Sequence, residues 1–280
     1  MRPESKKKAV ESLVQDNDKR TRRLLYSELA ADPEAHEKLV RQLSESACPD
    51  VRRFAGAILN EWEKIHEMAH CDDPVREAPK PECWEHLEFF CWWLAEQEYS
   101  DFKSLDGHRQ LNEWSEEFQE STEDIRDPQE QIHELTRFIA CEKQLCGDAD
   151  TYYCPENSYL NRVIERGKGI PLSLSLIYIF IGQRIGWEVS GLNMPGHFLA
   201  RIKDTAFDPY HGGKILACSD LAERYYLPED EFEDLNLFAA TPKEIAQRIL
   251  GNLYNSYSRI EDYQRLERIG NYLQELSESD

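Results

Sequence analysis

Positive charge is scarce in this chain: 33 Lys and Arg stand against 54 Asp and Glu, a formal charge of −21 over 280 residues. Such a surface repels phosphate backbones and anionic lipid, which argues against nucleic acid and membrane as partners. Lys6-Lys7-Lys8 is a short basic exception, at a terminus expected to fray. Long apolar runs are also missing. The longest, Leu174 to Ile181, contains Ser175 and ends at Gly182-Gln183-Arg184, far short of a membrane span. No apolar segment follows Met1, so no secretory signal is expected. The eight cysteines include no CxxC pair, and the CxxxxC spacing of Cys141 and Cys146 has no second pair to complete a tetrahedral zinc site. Reduced, mostly buried thiols in a cytoplasm are the expectation.

Apolar residues make up 40% of the chain and aromatics 11%, enough for a sizeable core at this length. Residues 1–73 read as a helical cap. After Pro49, the residues Val51, Ala55, Ile58, Trp62 and Ile65 recur at helical spacing. Residues 74–82, with three prolines in DDPVREAPKP, read as a linker. Residues 83–240 hold the main domain. Its first helix, Cys83 to Tyr99, carries Trp84, Phe89, Phe90, Trp92 and Trp93, a packing stripe rather than an aromatic cage. Helices are expected over Leu105–Phe118 and Pro128–Cys141, and Asn157 with Ser158 is expected to cap the helix of Leu160 and Val163. Ile170–Ile185 is apolar nearly all round and predicts a buried helix with Pro171 at its start. Trp187–Leu192 and Phe198–Ile202 read as strands, Ala206-Phe207 opens a return strand, and Lys214–Ala217 follows Gly212-Gly213. Residues 241–280 form a C-terminal helical pair, opened by the capping signal Thr241-Pro242-Lys243-Glu244 and ending in a loose SESD tail.

A two-residue turn at Lys203-Asp204 sets a hairpin register in which Ile202 faces Thr205, Arg201 faces Ala206, and Ala200 faces Phe207. Alternation then puts His197, Leu199 and Asp208 on one face, with His197 and Asp208 as diagonal neighbours. A carboxylate that holds an imidazole by one nitrogen and leaves the other free is the base-and-orienter half of a nucleophilic triad. The third member, a nucleophile, is what the sequence does not supply plainly.

The segments PENSYLNRVIERGKGIPLSLSLIYIFIGQRIG, MPGHFLAR and FDPYHGG resemble the SirB-type transglutaminase-like domain, found in bacterial proteins of implied regulatory role and in an F-box protein. The resemblance spans roughly Leu135 to Tyr257. It implies an α+β, transglutaminase-like core: a buried helix packed on a small antiparallel sheet. In related transglutaminases a cysteine at a helix N-terminus attacks an acyl carbon, and a histidine and an aspartate follow on adjacent strands. By this resemblance His197 and Asp208 match the histidine and aspartate, and the cysteine position falls on Pro171, which has no nucleophilic atom. Asn157, Pro171 and Gly196 would line the remnant cleft. The chain departs from the family where LCGDADTYYC replaces a glycine-rich segment. SACPDVRRFAGAILNEW resembles one HEAT-type helix pair, and RILGNLYNSYSRIEDYQRLERIGNYLQEL resembles the start of a tetratricopeptide pair.

The implied function is a non-catalytic or non-standard family member, a cytoplasmic binding or regulatory module with an unidentified protein partner and no cofactor or metal. One alternative is an acyl transferase or hydrolase using Ser173 or Cys154 with His197 and Asp208. A serine in a buried helix more often bonds a carbonyl one turn back, and nothing near Cys154 lowers its pKa. Arg166 and Lys168 read as a solvated pair, and His211 as a weak site candidate in a turn. A second alternative is a zinc hydrolase, because His66-Glu67-Met68-Ala69-His70 spells H-E-x-x-H. No convincing third ligand accompanies it, though Glu85 and Glu88 come to hand.

Overall fold

The computed structural model describes residues 3–15, 19–30, 33–69, 79–119, 122 and 124–278. The chain divides into two compact units, Met1–Asp73 and Pro74–Asp280. The described part of the first unit holds helices α1 (Pro3–Gln15), α2 (Lys19–Ala30), α3 (Pro33–Ser44) and α4 (Pro49–Ala69). Val51, Ala55, Ile58 and Trp62 of α4 are buried against Val40 and Leu43 of α3, as their spacing requires. The Trp62 indole donates to the carbonyl of Ala30 at 2.8 Å, so its polar edge is satisfied inside that core. The side chains of His66 and Glu67, and His70 as a whole, lie outside the described residues, as do residues 74–78 of the expected linker.

The second unit begins with α5 (Trp84–Glu98), α6 (Ser104–Gln119) and α7 (Pro128–Thr136), the last continuing as a π-helical turn over Arg137–Glu142. Phe90, Trp92 and Trp93 of α5 are buried, so the aromatic stripe packs the core. A two-residue strand β1 (Cys146–Gly147) follows, then a 3-10 turn at Pro155–Asn157 and helix α8 (Leu160–Arg166). Strand β2 (Lys168–Gly169) pairs parallel with β1. Next come α9 (Pro171–Arg184), strands β3 (Val189–Met194), β4 (His197–Ile202) and β5 (Thr205–Asp208), a 3-10 turn at Pro209–His211, and β6 (Lys214–Leu216). Helix α10 (Cys218–Tyr225), two further 3-10 turns, α11 (Pro242–Arg259) and α12 (Tyr263–Glu278) complete the unit. Thr241 and Glu244 form the expected reciprocal cap on α11. Ser277 and Glu278 of the tail belong to α12, and residues 279–280 lie outside the described residues.

The architecture is α+β. Every residue of α9 from Pro171 to Gly182 is buried, and each large apolar side chain so buried is worth about 1.5–3 kcal/mol. The four strands β3 to β6 run as an antiparallel meander in chain order. Its two faces meet different cores. Phe198, Ala200, Ile202 and Phe207 join the large core that contains α9. Leu192, Met194, Leu199, Ala206 and Leu216 meet Leu221, Phe232 and Leu235 on the other side. Ile249, Leu253, Ile269 and Tyr272 of the C-terminal helices belong to the same core as α5 and α9. Among the described residues, no helix is long and apolar enough to cross a membrane.

Among the boundaries that differ from the sequence reading, two have causes in specific hydrogen bonds. The strand expected from Trp187 begins at Val189, because the Trp187 amide donates to the Gly182 carbonyl and closes the end of α9. Asn157 and Ser158 do not cap α8. Its N-cap is Tyr159, with no side-chain cap bond, because Asn157 is already held in the preceding turn by other partners.

Candidate active site

The β4–β5 hairpin pairs Ile202 with Thr205, Arg201 with Ala206, and Ala200 with Phe207. Lys203 supplies the tight turn with a φ of 51°. At the other end of the hairpin, His197 opens β4 and Asp208 closes β5, and both are buried. Nε2 of His197 lies 2.9 Å from Oδ2 of Asp208. An ionised carboxylate only accepts, so the imidazole N–H is the donor. Among the described residues no hydrogen bond reaches the other ring nitrogen, Nδ1.

Asp208 has more partners than the sequence predicts. It is the N-cap of the Pro209–His211 turn, where its Oδ1 accepts from the backbone amides of Tyr210 at 3.1 Å and His211 at 3.4 Å. That turn swings the ring of His211 back, so that Nδ1 comes within 2.7 Å of Oδ2. Arg224 of α10 donates to the same oxygen at 3.2 Å. Burial alone would raise the pKa of Asp208. The hydrogen bond and charge of His197, and then those of His211, outweigh it and hold the carboxyl well below the usual carboxylate range. Arg248 of α11 donates to the carbonyls of His197 at 2.7 Å and Met194 at 3.1 Å, which fixes the turn containing Gly196. Gly196 itself has a φ of +68° and an exposed position.

The remaining expected site residues lie at the start of α9 and in the segment before α8, and no hydrogen bond joins them to His197 among the described residues. Pro171 is buried at the first position of α9, where its missing N–H leaves no partner unmet. The hydroxyl of Ser173 donates to the Asn157 carbonyl at 2.6 Å and accepts from the Ile170 amide at 3.1 Å. Neither bond leads to His197. The Asn157 side chain is fully buried and donates to Asp148 at 3.1 Å and to the Thr151 carbonyl at 2.8 Å. Arg166 is not solvated as expected: it donates to Asn157 Oδ1 at 3.0 Å and lies 3.7 Å from Asp148. Cys154 is half-buried with its thiol 3.9 Å from Glu156, and no hydrogen bond joins it to His197.

Chemically, the hairpin end offers an oriented imidazole with one unengaged nitrogen, backed by a carboxylate. That is a base or a ligand, without an attacking atom bonded to it. His211, a weak site candidate in a turn from the sequence, joins the couple because the Asp-Pro-Tyr-His string carries the spacing that brings an N-cap aspartate and the histidine three residues later together. Arg224 and Arg248 arrive from later helices, and no local pattern signals them.

A family profile described as Transglutaminase-like superfamily matches residues 106–251, more than half of the chain. The chain is similar to a UPF0162 protein of Xylella fastidiosa (strain 9a5c), 34% identical over 152 residues, which cover 51% of this chain and 54% of that protein. It is also similar to a UPF0162 protein of Pseudomonas aeruginosa, 29% identical over 189 residues, covering 64% and 70%. F-box only protein 21 of Mus musculus is 30% identical over 119 residues, covering 38% of this chain and 18% of that protein. The chain therefore spans about half the length of the Xylella relatives it matches. No solved structure matches.

Proposed function

The chain belongs to the transglutaminase-like superfamily, and from that premise we propose that it is a member without acyl-transfer chemistry, working as a cytoplasmic binding and regulatory module. The observation that carries this reading is the state of Ser173. Its hydroxyl is tied to Asn157 and Ile170 at the start of α9, while Nδ1 of His197 has no hydroxyl or thiol bonded to it among the described residues. A nucleophile must sit within hydrogen-bond reach of its base, about 2.6–3.2 Å, to be activated. Pro171 supports the same reading, because a pyrrolidine cannot attack a carbonyl. The cytoplasmic assignment draws on the described cysteines, all of which are free. The acidic surface favours a protein partner over nucleic acid or membrane.

Labelling with acyl and thiol electrophiles tests this. The expected result is no residue whose labelling depends on His197. Labelling of Ser173 or Cys154 that is lost in His197→Ala would overturn the proposal and restore an acyl transferase or hydrolase.

A further inference from the structure

We propose that His197, Asp208 and His211 form a binding site for a divalent transition-metal cation. The proposal rests on the reading of this hairpin end as a binding device and names what it binds. Each of the three residues offers one ligand atom, and these atoms lie within 4.8 Å of one another. The sequence assigns no metal here because the third ligand, His211, reaches the couple only through the 3-10 turn that Asp208 caps.

The hydrogen-bonded and metal-bound forms use the same atoms. In the first, each imidazole donates an N–H to Oδ2 of Asp208, at 2.9 Å from His197 and 2.7 Å from His211. In the second, each imidazole carries its proton on the other ring nitrogen (Nδ1 of His197, Nε2 of His211), and one cation sits on the two lone pairs so freed and on Oδ2. Tetrahedral zinc with bonds of about 2.0–2.1 Å sets neighbouring ligand atoms about 3.3 Å apart. The nitrogen–oxygen pairs need to lengthen by about 0.4 Å for His197 and about 0.6 Å for His211, and the two nitrogens start within 4.8 Å of one another.

The carboxylate is already aimed. Its Oδ1 is held by two backbone amides, which leaves Oδ2 turned toward the imidazoles. Supporting bonds of this kind orient metal ligands. Access is one-sided: the His211 side chain is 54% exposed, while those of His197 and Asp208 are 9% and 1% exposed. Three protein ligands with an open side leave a coordination position for water or an outside group. Two imidazoles and one carboxylate suit zinc, cobalt or iron(II) rather than magnesium or calcium, which prefer oxygen.

Arg224 opposes the cation, since its guanidinium lies 3.2 Å from the same oxygen and cannot ligate. It is also the source of a discriminating test. In a purely hydrogen-bonded cluster Arg224 is one more support. Next to a bound cation it is a competing charge, and removing it strengthens binding.

The 280-residue chain, stripped of metal, is titrated with Zn2+ by calorimetry and with Co2+ by absorption. The expected result is one Co2+ with a nitrogen–oxygen ligand field and no thiolate charge-transfer band. His211→Ala weakens binding at least about tenfold with a far-UV spectrum like that of the unsubstituted chain, and Arg224→Ala tightens it several-fold. No binding overturns the proposal, as does a thiolate band, or binding that is lost in His66→Ala and unaffected by His211→Ala. Absence of metal binding together with absence of His197-dependent labelling defeats the metal site alone. His197-dependent labelling defeats the non-catalytic reading beneath it.

Discussion

The hydroxyl of Ser173 donates to the carbonyl of Asn157 at 2.6 Å and thereby ties the first turn of α9 to the 3-10 turn that precedes α8. The same oxygen accepts from the Ile170 amide at 3.1 Å. Ser173→Ala leaves a buried N–H and a buried carbonyl with weakened satisfaction. The cost expected is about 1–3 kcal/mol, read as a drop in thermal midpoint. Electrophile labelling should not change. A variant that keeps its stability would mean this bond does not hold the helix start.

Glu88 of α5 and Arg184 of α9 form a buried ion pair, with the guanidinium donating to Oε1 at 2.5 Å. Trp92 Nε1 adds a bond to the same oxygen at 3.0 Å, and His108 Nδ1 lies 3.1 Å from it. Glu88→Gln strips the charge and leaves the arginine without its counter-ion in the interior. Breaking one side of such a pair costs about 3–5 kcal/mol. Chemical denaturation of the variant should show this as a lower midpoint with an unchanged slope. A loss below about 1 kcal/mol would show that water reaches the pair.

Acid should weaken the fold through carboxylates whose pKa is depressed in the folded chain. Burial raises that of Glu88, but the charge of Arg184 and then the bond to His108 outweigh it and hold it well below the usual range. Asp148 is lowered to about 2: burial acts against ionisation, and bonds from Thr151 and Asn157 overcome it. A group with a depressed folded value contributes stability above its unfolded value, about 4, and loses it as pH falls through the folded one. Thermal midpoints should be steady near neutrality, decline below about pH 5, and keep declining to about pH 2. Glu88→Gln should flatten that decline. A midpoint independent of pH over this range would contradict the assignment.

Much of the site's scaffold was legible in the chain because it is set by local rules. The Lys203-Asp204 turn and strict alternation give the β4–β5 register, and hence the nearness of His197 and Asp208. Pro171 and an all-apolar run give the start and burial of α9. Thr241 and Glu244 give the start of α11. What escaped has long-range causes. Asn157 has a good capping side chain, yet Asp148 and Thr151 hold it in the preceding turn, so type and position misled. The β1–β2 pair is two residues long and parallel, too short for a periodic signal. Arg224 and Arg248 come to the hairpin from α10 and α11, and only tertiary packing brings them there.

Gly212 and Gly213 look interchangeable in the sequence, but they are not equivalent in the fold. Both have a left-handed backbone, with φ of +67° and +70°. A Cβ on Gly212 would meet nothing within 4 Å, whereas one on Gly213 would lie 2.0 Å from Oγ1 of Thr136 and 2.8 Å from its Cβ. The Gly213 amide also donates to the Asp208 carbonyl at 2.9 Å, so displacement there is transmitted to the site carboxylate. Gly212→Asn should therefore cost about 1 kcal/mol or less, since asparagine tolerates this backbone region. Gly213→Ala adds overpacking to backbone strain, and about 2–4 kcal/mol is expected. Thr136→Ala in the Gly213→Ala background should restore part of that loss, because it removes the nearest clashing atom. A double-mutant cycle isolates the shared term. Equal effects of the two glycine substitutions, or strict additivity with Thr136→Ala, would refute the packing of β6's approach turn against α7.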